Sequence, residues 1–202
     1  DDAGYGGGYS TVIRNNIITG NSSFSINGFN TFQEGDAAAA ANIYNGNVTF
    51  NGNSAASLYI SHIDALQCSG NLTITRSAAG FTQAFNAGAA IHGNFSYTNN
   101  TTGGTFFGNP ANKTSIGGTL TISANYTSPN EFVLYHMVNQ TAGGLIDVQN
   151  SMGFEVRNDT LKLSSLSITG YRGGAYGRLW DNDITGNVTI ADDASYTGGF
   201  NT

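Results

Sequence analysis

One five-residue pattern recurs along the chain and dictates most of what it can fold into. It reads Gly46-Asn47-Val48-Thr49-Phe50, Gly70-Asn71-Leu72-Thr73-Ile74, Gly93-Asn94-Phe95-Ser96-Tyr97 and Gly186-Asn187-Val188-Thr189-Ile190. Weaker copies are Gly20-Asn21-Ser22-Ser23-Phe24, Gly118-Thr119-Leu120-Thr121-Ile122, Gly144-Leu145-Ile146-Asp147-Val148 and Ser164-Ser165-Leu166-Ser167-Ile168. The third residues of the copies, from Ser22 through to Val188, recur at intervals of roughly 20 to 26 residues. That position is apolar in every copy but the one with Ser22, and the fifth is apolar or aromatic throughout. Ser or Thr stands between them, or Asp147 in one copy. Alternation with period two is a half-buried strand, one face inward and one outward.

Strands that return at such an interval, with another apolar cluster between them, describe coils rather than hairpins. The second clusters include Leu58-Tyr59-Ile60, Thr105-Phe106-Phe107, Phe132-Val133-Leu134-Tyr135 and Arg178-Leu179-Trp180. In a parallel β-solenoid, equivalent residues of successive coils stand about 4.8 Å apart, and each buried apolar side chain contributes roughly 1.5–3 kcal/mol. An antiparallel sandwich also has short strands and Gly turns, but it has no need of the same Gly-Asn pair in coil after coil. The expected fold is all-β: a parallel β-solenoid of about eight coils of roughly 20–26 residues, right-handed because coil length varies. Val48, Leu72, Phe95, Leu120, Ile146, Leu166 and Val188 should stack in one buried column. Phe50, Ile74, Tyr97, Ile122, Val148, Ile168 and Ile190 should form another.

A longer period joins the two ends. Residues 192–202 align without gaps on residues 1–11, with seven of eleven identical, at an offset of 191. Ser22 of a following copy would then fall one ordinary coil beyond Val188. Residues 1–202 are therefore expected to be a single solenoid block, slightly more than one unit of a 191-residue tandem repeat, with 192–202 beginning the next unit.

Composition narrows the partners. Of 202 residues 28 are Gly, 25 Asn, 22 Thr and 18 Ser, while charged residues reach 10% against roughly 25% in ordinary domains. The hydrophobic fraction of 39% still supplies a core, which intrinsically disordered chains lack. A net charge of −6 with seven scattered Lys and Arg gives no footprint for nucleic acid, and no apolar run is long enough to insert this segment in a membrane. The lone Cys68 has no internal disulfide partner; it stands where Ile18, Tyr44, Ile91, Ile116 and Ile184 stand in other coils and reads as a small buried hydrophobe. The chain begins at Asp1, as a mature fragment or a piece of something longer would.

Asn21, Asn47, Asn71, Asn94 and Asn187 occupy one place in their coils, where stacked amides can bond one another as a ladder. Each also spells Asn-x-Ser/Thr, a glycosylation sequon that falls out of the turn pattern itself. Ser23, Thr49, Thr73, Ser96, Thr121, Ser167 and Thr189 form an outward hydroxyl stripe. Doubled Thr-x-Thr spacing, which ice binding on a flat face would use, occurs only at Thr73/Thr75 and Thr119/Thr121. Catalytic clusters are not evident: His62, His92 and His136 fall in different coil phases, Asp147 is the only carboxylate in the outward row, and Asp181 and Asp183 read as surface partners of Arg178 and Arg172. Gly4-Tyr5-Gly6-Gly7-Gly8 lacks the Lys-Ser/Thr of a phosphate loop. The acidic pairs Asp1-Asp2 and Asp192-Asp193 lack the Gly-rich calcium repeat, and the Ala37–Ala41 run reads as a narrow corner. No catalytic residue, cofactor or metal is expected.

The Gly-Asn-Val/Leu-Thr-Ile/Phe coils and the 191-residue period resemble the giant repetitive surface proteins of Bacteroidota, including filamentous gliding-motility adhesins. The resemblance implies export to the cell surface, adjacent repeats of the same chain as partners, and service as a long extracellular fibre in attachment or gliding, with an external surface or polysaccharide as its target. The alternatives are a carbohydrate-binding or carbohydrate-degrading β-helix, which needs aromatics and carboxylates in neighbouring coils, and an ice-binding solenoid, which needs an ungapped Thr face.

Overall fold

The computed structural model describes residues 11–28, 31–35, 41–172 and 176–193. They form twenty β-strands and no helix, and every pairing between these strands is parallel. Three strands make a layer. The first layer holds β1 (Thr11–Ile13), β2 (Ile17–Ile18) and β3 (Ser22–Ile26); the second holds β4 (Phe32–Glu34), β5 (Ile43–Tyr44) and β6 (Val48–Gly52). The third holds β7 (Leu58–Ile60), β8 (Leu66–Cys68) and β9 (Leu72–Arg76); the fourth holds β10 (Thr82–Ala84), β11 (Ala89–Ile91) and β12 (Phe95–Asn99). β13 (Thr105–Phe107), β14 (Thr114–Ile116) and the start of β15 (Leu120–Tyr135) form the fifth. From there strands run on around a corner. The rest of β15, β16 (Met137–Asn139) and the start of β17 (Gly144–Arg157) form the sixth, and the rest of β17 with β18 (Thr160–Tyr171) forms the seventh. β19 (Gly177–Trp180) and β20 (Asp183–Asp192) make the eighth.

Like pairs with like from layer to layer. Three ladders of eight strands therefore run along the axis, seven turns from first to last, and give the solenoid three faces, numbered in chain order. Side chains alternate about each strand, so β6, β9 and β12 each bury their first, third and fifth residues. The corner after the first face carries a left-handed residue in every layer: Asn15, Gly35, Ser61, Phe85, Gly108, His136, Asn158 and Asp181, with φ between 52° and 86°. One such residue between extended ones turns the chain sharply without lengthening the coil. Phe85 is the costly member, since a bulky side chain disfavours this region. Its ring is fully buried, edge-on to Phe95 at 5.0 Å and stacked on Phe107 at 5.8 Å.

On the third face Phe24, Phe50, Ile74, Tyr97, Ile122, Ile146, Leu166 and Val188 stand one above another. This corrects the expected core columns. Val48, Leu72, Phe95 and Leu120 do share a column, but Ile146 faces Ile122, and Val148 faces Ala124. Leu166 and Val188 follow Ile146, so the last three copies are displaced by two positions. A slip of two leaves every side chain on its original side, and alternation with period two cannot detect it. The second correction concerns burial. Val188 and Ile190 are 46% and 45% exposed, because they belong to the eighth layer and have a strand on one side only.

Cys68 is fully buried in the second-face column Ile18, Tyr44, Cys68, Ile91, Ile116, and burial pushes its thiol pKa up. Arg76 is 1% exposed and points inward over Gly52, where a Cβ on Gly52 or Gly80 would overlap its guanidinium. The Asp1–Asp2 pair, the Gly4–Gly8 segment, Ala37–Ala40 and the terminal repeat apart from Thr11, Asp192 and Asp193 lie outside the described residues.

Candidate functional site

The Gly-Asn pair builds a ladder along the corner that enters the third face. The Asn47 N–H donates to Asn21 Oδ1 at 3.0 Å, the Asn71 N–H to Asn47 Oδ1 at 2.8 Å, and the Asn94 N–H to Asn71 Oδ1 at 2.8 Å. Thr119 ends the run by donating its N–H to Asn94 Oδ1 at 2.8 Å. Each rung therefore joins a side-chain oxygen to a backbone N–H of the next layer, where amide-to-amide bonds were expected. The geometry explains the glycine as well. A Cβ on Gly70, Gly93 or Gly118 would overlap the Asn Oδ1 of the layer beneath, so the Asn of one layer requires the Gly of the next. Asn187 is not on this ladder. The slip of two positions sets it opposite Ser165, in the outward column of Thr49 and Thr73. All five sequon asparagines are exposed.

Amide-to-amide rungs do occur elsewhere. Asn53 Nδ2 donates to Asn27 Oδ1 at 3.0 Å, Asn109 Nδ2 to Asn86 Oδ1 at 3.2 Å, and Asn150 Nδ2 to Asn125 Oδ1 at 3.1 Å. The sequence reading missed these pairs. Their separations of 26, 23 and 25 residues are coil spacings, and that signal could have found them.

The outer side of the third face carries mostly hydroxyls and amides. Ser23, Thr49, Thr73, Ser96 and Thr121 form one column, beside Ser25, Asn51, Thr75, Thr98 and Ser123. Above them come Leu145, Ser165 and Asn187 in one column and Asp147, Ser167 and Thr189 in the other. The expected single stripe is thus two columns. Ser167 and Thr189 belong to the second, Thr119 serves the Asn ladder, and Asn51, Leu145 and Asp147 interrupt the hydroxyls.

The outer side of the first face has the opposite chemistry. Phe81 lies 6.2 Å from Tyr59 and 4.9 Å from Phe106, and Tyr59 packs edge-on to His62 at 4.8 Å. Higher up, Arg178 meets the Glu155 carboxylate at 3.5 Å and lies 4.6 Å from the Tyr176 ring and 4.9 Å from Trp180. Arg157 sits 5.3 Å from the same Trp180 ring. Burial, then hydrogen bonding to Glu155, pushes the Tyr135 hydroxyl up to about 12. Arg178 thus pairs with Glu155, and Arg172 with Asp193 at 3.2 Å, where Asp181 and Asp183 were the expected partners.

Two further carboxyls are buried. Glu34 accepts from Asn42 Nδ2 and from the Ser61 N–H, each at 2.7 Å, and burial raises its pKa to about 7. Asp159 accepts the Met137 N–H at 2.6 Å, while its own N–H donates to Asn182 Oδ1 at 3.0 Å. Burial raises its pKa well above the usual range. Both carboxyls bond backbone or amide groups inside the stack. Among the described residues no group of three or more His, Cys, Asp or Glu could hold a metal ion, and no helix is long and apolar enough to cross a membrane. A cavity of about 330 Å³ lies at the first layer, lined by Ile13, Phe24, Ile26 and Phe32 among others. No protein-family model, curated protein or solved structure matches the chain.

Proposed function

We propose that the chain is a structural, non-catalytic shaft unit of a long extracellular adhesin filament at the cell surface, acting in attachment or gliding. The observation that carries this reading is the way the three ladders meet the 191-residue period. On the first face the positions of Val12 and Arg178 differ by 166, which leaves 25 to Val12 of a following unit. On the second, Ile18 and Ile184 also differ by 166, leaving 25. On the third, Phe24 and Val188 differ by 164, leaving 27. Steps between adjacent layers inside the chain run from 19, at Gly144 to Leu163, to 27, at Phe106 to Val133. All three ladders therefore close within one natural coil.

The same closure sets Leu179 over Ile13, Ile184 over Ile18, Val188 over Phe24 and Ile190 over Ile26. Apolar meets apolar in these four inward columns, and the cavity at the first layer is the socket. Uncapped solenoid ends expose core and strand edges, which a neighbouring unit covers. The resemblance to Bacteroidota surface proteins supplies the cellular setting.

Proteins of one, two and four units test the reading. The length measured by small-angle scattering should grow by about 38 Å per unit, eight strand spacings, and the melting temperature should rise with unit number. A single unit as stable as four, or one that cleaves a polysaccharide, would overturn it.

A further inference from the structure

The shaft reading leaves the cluster at the upper end of the first face without a role. Its centre is Trp180, the only tryptophan in the chain, which is 44% exposed. Tyr135, Arg157 and Trp180 are successive rungs of one outward column. Arg157, from the layer below, and Arg178, from the same strand, both lie over the indole, at 5.3 and 4.9 Å from its centre. The side of the ring that faces along the axis, away from Arg157, has no layer above it among the described residues.

The closing step of the first-face ladder fixes what comes there. One such step beyond Trp180 is the position of Arg14 in a following unit, and the same step sets Val12 beyond Arg178. Both Arg14 and Val12 are exposed in the first layer. We infer that Trp180 is the outer clamp of the junction between units: its open side receives the guanidinium of Arg14 from the first layer of the next copy, and Val12 of that copy packs on the stem of Arg178. The indole then meets a third guanidinium besides those of Arg157 and Arg178, held by the same cation–π attraction. The clamp deepens the shaft reading and rests on it. Its partner is a second copy of this unit. Through one cationic and one apolar contact on the outside, it fixes the register that the buried columns alone would leave free to slip by two positions, as they do between Leu120 and Ile146.

Because there is one tryptophan per unit, fluorescence reads the junction directly. In a two-unit protein, Trp180→Phe in the second unit leaves only the junction indole. Its acrylamide quenching constant should be at least twofold below that of a single unit. Arg14→Gln in the second unit should restore more than half the difference, and Arg14→Gln in the first unit, which faces no junction, should change nothing. Quenching equal to that of the single unit, or reduced quenching indifferent to Arg14→Gln in the second unit, would overturn the clamp. Small-angle scattering on the same samples separates the two readings. If the length grows by one unit and quenching does not fall, the clamp alone is wrong; if the length does not grow, the shaft reading fails with it.

Discussion

Glu34 is the single polar member of an inward column that otherwise runs Ile13, Ile60, Ala84, Phe107, Leu134, Val156 and Leu179. A carboxyl fully buried there holds its proton more tightly than in the unfolded chain, mainly because burial penalises the charge. Below about pH 4.5 both states are protonated. Between that value and about 7 the folded state keeps the proton that the unfolded state loses, so stability falls as pH rises through this window and levels off above it. The difference corresponds to a loss on the order of 3 kcal/mol. Glu34→Gln keeps the shape without the titration. Urea unfolding at pH 5, 6, 7 and 8 should show a falling midpoint for the natural chain and a flat one for the variant. A natural chain whose stability does not fall between pH 5 and 7 would contradict the assignment. Alternation along β4 buries Glu34 and turns Gln33 outward, a placement the sequence reading did not make. What could not be read from sequence is that Asn42, in the same layer, and Ser61, in the next, would satisfy its oxygens.

Within an element, the rung from Asn Oδ1 to the next N–H decides which asparagines matter. Asn71→Ala leaves the Asn94 N–H at the start of β12 without its acceptor, a loss of about 1–2 kcal/mol. Asn187→Ala removes no such rung and should cost less than about 0.5 kcal/mol. Chemical denaturation of the two variants side by side checks this, and equal losses would mean that the ladder does not depend on these bonds. The Gly-Asn pair was legible because it recurs as a sequence pair, and the strand after it because it alternates. Assigning Asn187 to the ladder failed for a physical reason. Between Leu120 and Ile146 the pairing moves by two while every side chain stays on its side, so the copies still look alike in sequence. The second-face strands, two or three residues long in the first five layers, are too short for alternation to show. Of the corner residues, Asn15, Gly35, Gly108, Asn158 and Asp181 are ordinary left-handed types, but Phe85 carries none of the usual marks of such a position.

At the scale of the molecule each layer touches only its neighbours, so removing a whole layer should leave two surfaces that still fit. The fit depends on one inward side chain. Deleting residues 72–94 joins Asn71 to Phe95 and sets β12 on β6, β13 on β7 and β14 on β8. The removed layer takes Arg76 with it, and Asn99 comes to rest over Gly52. Deleting residues 48–71 also removes one layer, but it sets Arg76 over Ile26. The guanidinium then loses the space that Gly52 leaves and the Ser54 carbonyl that accepts from Nη2 at 3.2 Å. Only the Ala78 carbonyl at 3.3 Å remains to it, and a buried cation crowded and stripped of an acceptor is strongly destabilising. The first deletion should give a cooperatively melting protein, shorter by one strand spacing of about 4.8 Å. The second should melt lower by about 10 °C or more, or fail to fold, and Arg76→Ala in its background should recover part of the loss. Circular dichroism melts of the three proteins measure this. If both deletions melt alike, the layers are interchangeable regardless of what they bury. If only the first survives, the column of residues inside the coil, more than the ladders around it, determines which layers can be neighbours.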